Sequence, residues 1–223
     1  MSFCVLIPAF NSERTLEELL SRVSKILPYR DKILVVDDGS KDKTLEIAES
    51  FGAKTLLHEK NFGKGEALKN GFSWAIKNDF DFVLTIDSDL QHLPEKIPNF
   101  LECQEKTSSD LVVGSRMKDL QTMPMHRRAS NTITSFLLSI RTGQKIEDSQ
   151  SGFRLYSTKM LSKIELTTSR YELESEILIK AGIRNFKISF IEIPTIYGDE
   201  KSEIRALRDI SNFVKIYFKS LFW

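Results

Sequence analysis

Cysteine is almost missing from this chain. Its 223 residues include only Cys4 and Cys103, which lie far apart and form neither a disulfide framework nor a metal-binding pair. A chain of this length buries enough apolar surface to need no such staple. An excess of one charge is missing too: 32 Lys and Arg stand against 31 Asp and Glu, which argues against a generally basic nucleic-acid binder. Apolar runs are strand-length, such as Ile33–Val36, far short of the roughly 20 residues that span a bilayer. No basic region leads into an apolar signal segment at the N-terminus. A cytoplasmic location is therefore expected, with attachment to the cytosolic face of a membrane left open. Internal repeats, low-complexity tracts and Pro/Gly-rich linkers are also lacking, and 41% hydrophobic residues indicate a folded domain, not a disordered segment.

The sequence does contain a regular alternation of short β-branched runs and amphipathic stretches. Phe3–Pro8 reads as a strand, Ser12–Ile26 as a helix, and Lys32–Asp37 as a second strand with a helix after Lys41. Ala53–His58 is a third strand, followed by a helix over Lys64–Lys77; Phe82–Asp87 and Asp110–Ser115 are a fourth and a fifth. Continuous apolar strands separated by helices predict an α/β fold with a mostly parallel sheet covered on both faces. The second half is less regular. Met117–Arg128 reads as a polar loop, then Ser130–Arg141 as a helix, Phe153–Tyr156 as a strand, Tyr171–Ala181 as a helix and Phe186–Ile193 as a last strand. Finally, Ile210, Phe213, Val214, Tyr217, Phe218 and Leu221 recur at helical spacing, with Lys215 and Lys219 on the other side. This stripe is expected to pack on the core. The alternative is an interfacial role at a membrane, suggested by Leu221-Phe222-Trp223 and the nearby lysines.

In open sheets of this kind, ligands bind beyond the carboxyl ends of the strands. Those ends carry Asn11, Asp37-Asp38-Gly39-Ser40 and Asp87-Ser88-Asp89, so three successive exits form one candidate site. Carboxylates two residues apart can share a hard cation such as Mg2+ or Mn2+, and Gln91 can add an oxygen. An isolated Asp-x-Asp would more often cap a helix. Asp37 or Asp38 can accept hydrogen bonds from a nucleobase or ribose, Gly39 permits a tight turn, and Ser40 or Asp42 suits a helix cap. Asn61-Phe62-Gly63-Lys64-Gly65 matches neither the dinucleotide fingerprint nor the P-loop, which counts against a dehydrogenase or ordinary ATPase; Lys64 can still neutralise a phosphate. Asp148 is a candidate acid, base or orienting group, its local alternative being an Asx-turn. Arg116, Arg127 and Arg128 flank the polar loop, and Arg205 and Arg208 lie near the last helix; such guanidinium groups can hold an anion. Neither a zinc-type His/Cys cluster nor a Gly-x-Ser-x-Gly elbow occurs.

These motifs, in this order, resemble the family 2 glycosyltransferases with the GT-A fold, and most of all their dolichyl-phosphate mannosyltransferase-like, polyprenyl-phosphate sugar transferase branch. Val5-Leu6-Ile7-Pro8-Ala9-Phe10-Asn11 is similar to the opening strand and turn of that family. Val35-Val36-Asp37-Asp38-Gly39-Ser40, with Asp42 and Thr44, is similar to its nucleotide-binding signature. Asn61-Phe62-Gly63-Lys64-Gly65 with Ala67, Asp87-Ser88-Asp89-Leu90-Gln91-His92 with Pro94-Glu95, Val112-Val113-Gly114-Ser115-Arg116 and the segment from Asp148 to Arg154 extend the likeness over nearly the whole chain.

The resemblance implies a Rossmann-like GT-A sheet in a single domain over 1–223, with a nucleotide-sugar and metal half up to about residue 91 and an acceptor half after it. It implies inverting transfer from a nucleotide-sugar donor, with Mg2+ or Mn2+, to a polyprenyl or dolichyl phosphate; the alternatives are a saccharide or other hydroxyl acceptor, or a non-catalytic nucleotide-sugar-binding protein. Pro8, Ala9, Asn11, Glu13, Asp37, Asp38, Gly39, Lys64, Asp87 and Ser88 would meet the donor, and Asp89, with Asp87 and Gln91, the metal. Arg116, Arg127, Arg128 and Ser202 would meet the acceptor. Asp148, Asp89, Arg116 and Arg128 would surround the reacting centre. Two departures stand out. Ser12 separates Asn11 from Glu13, and Tyr197-Gly198-Asp199-Glu200-Lys201-Ser202 lacks the arginine that many relatives place before a late Gly-x-Ser-Lys.

Overall fold

The computed structural model describes residues 1–27, 29–117, 123–194, 196 and 206–223, and in it the alternation becomes one seven-stranded sheet with helices on both faces. The strands are β1 Phe3–Ala9, β2 Ile33–Asp37, β3 Lys54–Leu57, β4 Phe82–Thr85, β5 Leu111–Ser115, β6 Arg154–Ser157 and β7 Ile188–Glu192. The helices are α1 Leu16–Ile26, α2 Thr44–Ser50, α3 Lys64–Lys77, α4 Ile97–Thr107, α5 Met125–Thr142, α6 Thr158–Leu161, α7 Glu172–Ile183 and α8 Ala206–Ser220. Across the sheet the order is β3-β2-β1-β4-β6-β5-β7. Only β6 runs against its neighbours β4 and β5.

The unbroken apolar strands have the expected cause. Along β1, Cys4 and Leu6 enter the core shared with α3 and α7, whereas Val5, Ile7 and Ala9 enter the one shared with α1 and α4. With both faces covered, β1 carries no polar residue from Phe3 to Ala9. Leu16, Leu19, Leu20 and Val23 line the buried face of α1, each contributing about 2 kcal/mol of apolar burial.

Three boundaries differ from the sequence reading in ways that matter for the site. Strand β4 ends at Thr85, so Asp87 stands two residues beyond the pairing, on irregular backbone. Residues 12–15 form a turn ahead of α1, in which the Ser12 carbonyl accepts from the amides of Thr15 and Leu16. Helix α5 begins at Met125, directly after Pro124, and so takes Arg127 and Arg128 out of the expected loop. Pro124 fixes the entry angle, while an exposed first turn without apolar periodicity hides the start from a pattern search. The middle of that loop, 118–122, lies outside the described residues. The stripe on α8 divides: Phe213 and Tyr217 pack against the core, whereas Val214, Phe218 and Leu221 are exposed.

The antiparallel strand is pinned by a fully buried arginine. Arg154 donates from Nε to the Ser151 carbonyl at 2.6 Å, from Nη1 to the Glu174 carbonyl at 3.0 Å and from Nη2 to the Ser149 carbonyl at 2.9 Å. One guanidinium thus joins the loop before β6 to the first turn of α7. Replacing it with methionine would leave three buried carbonyls unmet. Arg154→Met should lower urea-unfolding stability by about 3 kcal/mol, and Arg154→Lys should not restore it, because an ammonium cannot span the three acceptors.

Candidate active site

The exits of β1, β2 and β4 open into one cavity of about 860 Å³. Of the residues singled out in the sequence, Pro8, Ala9, Asn11, Asp38, Lys64, Asp87, Ser88, Asp89, Gln91, Arg116 and Arg127 line it. Glu13, Asp37, Gly39, Arg128 and Asp148 are not among its lining residues. Ser202 and Arg205 lie outside the described residues, and Arg208 belongs to α8.

The first two exits are fastened together. Asn11, in the left-handed region at φ 50°, accepts the Lys41 amide on its side-chain oxygen and donates its own backbone amide to Ser40 Oγ. Glu13 accepts from the Lys43 amide, while the Glu13 amide donates to Asp42, so Glu13 serves the entry to α2. Gly39 has φ +77°, and a side chain there would fall 2.6 Å from the Lys60 carbonyl carbon; no other residue fits that turn. Asp37 accepts the Ser40 amide on one oxygen, while its other oxygen is buried with no partner among the described residues.

Asp38 is engaged with the chain itself. Its carboxylate accepts from His58 Nδ1 at 2.7 Å and from the amides of Phe62 at 2.9 Å and Gly63 at 2.7 Å. Asn70 Nδ2 lies 2.9 Å from His58 Nε2, so both ring nitrogens of His58 are engaged. Asp38 therefore anchors the 61–63 turn that starts α3 and aims Lys64 into the cavity.

Lys64 sits between two carboxylates, 2.7 Å from Asp87 and 2.9 Å from Glu174. Burial alone would lower its pKa, but the two carboxylates outweigh that and raise it, so it stays charged. Burial pushes the Asp87 carboxyl up, and Lys64, His92 and Arg116 overcome this to hold it below its ordinary range. His92 is driven down to about 4 by burial, with Arg116 and Lys64 adding to the effect against Asp87; it is neutral at pH 7. Its Nδ1 is buried with no partner among the described residues.

Asp148 is fully buried and accepts five hydrogen bonds. Three come from Arg116, through its amide, Nε and Nη2, at 3.0, 2.8 and 2.9 Å; the others come from Asn131 Nδ2 and the Gln150 amide. Burial raises its pKa, but Arg116 and the hydrogen bonds reverse this and set it at about 2. The arrangement orients the Arg116 side chain at the cavity wall and leaves Asp148 a very weak base.

A divalent cation fits the donor set at the third exit. Asp89 and Gln91 offer carboxylate and amide oxygens to the cavity, and the Gln91 amide donates to Asp89 at 3.0 Å. Leu90 between them adopts φ 60°, a strained conformation for a leucine, which holds the two donors as neighbours. Among the described residues no three His, Cys, Asp or Glu side chains converge as a metal cage. Such a site suits a hard ion that takes few protein ligands and keeps positions for water and phosphate oxygens.

The sequence reading missed Arg14, His92, Arg170, Tyr171 and Glu174, all of which line the cavity. Glu174 carried a readable signal: with Glu176, it is one of two acids among the apolar buried residues of α7. Arg170 carried none, because the turn that brings it beside Gly63 is set by the buried Glu176, whose carboxylate accepts from the amides and hydroxyls of Thr167 and Thr168.

The profile of glycosyl transferase family 2 matches residues 4–165. The chain belongs to that family. It is 31% identical to the UDP-N-acetylglucosamine–dolichyl-phosphate N-acetylglucosaminyltransferase of Methanococcus voltae, over 97% of this chain and 94% of that protein. It is 37% identical to an uncharacterized protein of Methanocaldococcus jannaschii, over 96% and 89%. Its fold is similar to that of the M. tuberculosis glucosyl-3-phosphoglycerate synthase crystallised with Mn2+ and UDP-glucose, at a TM-score of 0.74 and 22% identity, covering 99% of this chain and 77% of that one. This glycosyltransferase thus has the GT-A fold.

Two expectations follow. The pKa of Asp148 is depressed from 3.8 to about 2, so its ion pair stabilises the fold above pH 4 and that contribution fades as pH falls toward 2, by about 2 kcal/mol. Asp148→Asn should abolish this part of the acid slope in urea unfolding and lower stability above pH 4 by about 3 kcal/mol. A side chain at Gly152 would lie 2.8 Å from Asp87 Cγ, with Oδ2 closer still. Gly152→Ala should therefore displace Asp87 and slow sugar transfer about a hundredfold, with the sheet intact by circular dichroism.

Proposed function

We propose that this glycosyltransferase moves a sugar from a nucleoside diphosphate sugar to a polyprenyl phosphate, with Mg2+ or Mn2+ held by Asp89, Gln91 and Asp87. The observation that carries the acceptor assignment is the state of Asp148. A hydroxyl acceptor needs a base, and a carboxylate that accepts five hydrogen bonds and has a pKa of about 2 is a poor one. A phosphate is already anionic and needs none. The dolichyl-phosphate transferase of Methanococcus voltae and the polyprenol monophosphomannose synthase of Mycolicibacterium smegmatis, which is 27% identical over 98% of this chain, support the same reading by name.

In this reading the reaction is one in-line displacement at the anomeric carbon, with inversion. The acceptor oxygen forms the new bond as the nucleoside diphosphate leaves with the electron pair of the old one. When bound, the divalent cation supplies Lewis-acid neutralisation of the departing diphosphate. The rest falls to the chain. Lys64 fixes Asp87, and Asp38 holds the turn beneath the donor. Arg116, clamped by Asp148, and Arg127 in the first turn of α5 provide positive charge for the acceptor phosphate. The acceptor would be met at the cytosolic surface of a membrane; among the described residues no helix is long and apolar enough to cross one.

A saccharide acceptor has one observation in its favour: Glu174 lines the cavity and could act as base once parted from Lys64. Incubation of the protein with labelled nucleotide sugars and either a short-chain polyprenyl phosphate or a saccharide panel separates the two. The expected product is an acid-labile glycosyl phosphate, formed only with divalent cation, abolished by Asp89→Ala and retained within about tenfold by Glu174→Gln. Transfer to saccharides alone, with collapse in Glu174→Gln, would reverse the assignment. Donor affinity unaltered by chelation or by Asp89→Ala would remove the metal from the site.

A further inference from the structure

Helix α5 is turned inside out. Its inward row is Asn131, Ser135, Leu138 and Thr142, largely polar and buried, while Ile133, Phe136 and Ile140 project outward with 60%, 64% and 60% of their surface exposed. The inward polarity has a partner: Asn131 and Ser135 bind the Asp148–Ser149 loop through Asp148 Oδ1, the Ser149 amide and the Ser149 hydroxyl. The outward row has none among the described residues. On α8, Val214, Phe218 and Leu221 make a second exposed row at i, i+4 and i+7, continued by Phe222, while Ile216 and Ser220 face inward. Arg141 near the end of α5 donates to the carbonyl and hydroxyl of Ser220, so the C-terminal ends of the two helices meet, and α7 packs against both.

We infer that the outer faces of α5 and α8 form a docking plate for an anionic lipid bilayer. Charge selects this occupant. Helix α5 contains no Asp or Glu, and neither do residues 211–223, yet exposed Arg128, Lys215 and Lys219 border the apolar rows. Apolar side chains rimmed by cations match the boundary between acyl chains and anionic headgroups. A second copy of this chain would set those cations against their own equivalents. Continuity with the cavity supports the same choice, because Arg127, one residue before Arg128 in the first turn of α5, lines the cavity wall. Docking on this plate would hold the mouth of the cavity beside the headgroup layer. The inference deepens the lipid-phosphate reading and rests on it for its purpose, though not for its observations.

The test is cosedimentation of the full chain with vesicles of phosphatidylglycerol and phosphatidylcholine, or of phosphatidylcholine alone, at low and high salt. The comparison is with the double variant Phe136→Ser/Phe218→Ser, whose unaltered thermal midpoint is the control for folding. Binding should require the anionic lipid, weaken with salt and fall about tenfold or more in the variant. The variant should keep wild-type transfer to a short-chain, water-soluble polyprenyl phosphate and lose transfer to a long-chain one in vesicles. Absence of binding, equal binding by the variant, or a wild-type dimer that the variant dissolves would overturn the docking plate. Vesicle binding without transfer to either phosphate would leave the plate standing and defeat the acceptor reading; transfer in solution without vesicle binding would do the reverse.

Discussion

A carboxylate removed entirely from water stays ionised only if its surroundings replace what the water gave it. For Asp148 that replacement comes from three separate parts of the chain: Arg116 beyond β5, Asn131 on α5 and the Gln150 amide. Meeting this requirement fixes where those parts lie. It holds a guanidinium against the cavity wall, draws the polar side of α5 onto the 148–150 loop, and so turns the apolar side of the same helix outward. One buried charge thus governs both a wall of the active site and the character of the molecular surface above it.

The antiparallel β6 is what delivers that loop to the site. Parallel strands all leave the sheet at the cavity end, so their preceding segments lie at the far end. A reversed strand enters from the cavity end. Its pairing, with Thr85 opposite Arg154, places the residues before it beside those after β4. Gly152 consequently meets Asp87, held there by Thr85 Oγ1 on its carbonyl at 2.7 Å. Arg154 then binds the same loop to α7, which carries Glu174 toward Lys64. The site is assembled by sheet topology more than by any single motif.

That division accounts for what could be read in the sequence. The strands were legible to within two or three residues because burial on both faces gives the central ones short runs of mainly apolar side chains, and α3 was legible at both ends, from Lys64 to Lys77. The acidic strand exits were legible as a group, since parallel strands bring the polar residues at their carboxyl ends to one edge of the sheet. Contacts that depend on how distant segments meet were not. Asp38 lines the cavity, and the sequence did not show that its carboxylate is also engaged by His58, Phe62 and Gly63. The α8 stripe looked like a single packing face, because helical spacing groups residues without saying which neighbour covers each of them. The start of α5 was hidden by an exposed, polar first turn.

Near-zero net charge also proves to be the sum of unlike regions. Around Lys64 the charges are one ammonium against the carboxylates of Asp87 and Glu174. Arg116 is already balanced by Asp148. The cavity lining as a whole mixes Arg14, Lys64, Arg116, Arg127 and Arg170 with Asp38, Asp87, Asp89 and Glu174, and charges in a partly buried cleft are weakly screened. On the proposed reading, a divalent ion held by the Asp87–Asp89 segment would neutralise the departing diphosphate. The same argument shows why Lys64 alone cannot serve: it is spent on holding two acids in place. Donor binding that depends on a divalent cation is what the proposed reading leads one to expect at a site whose lysine is already matched by two acids.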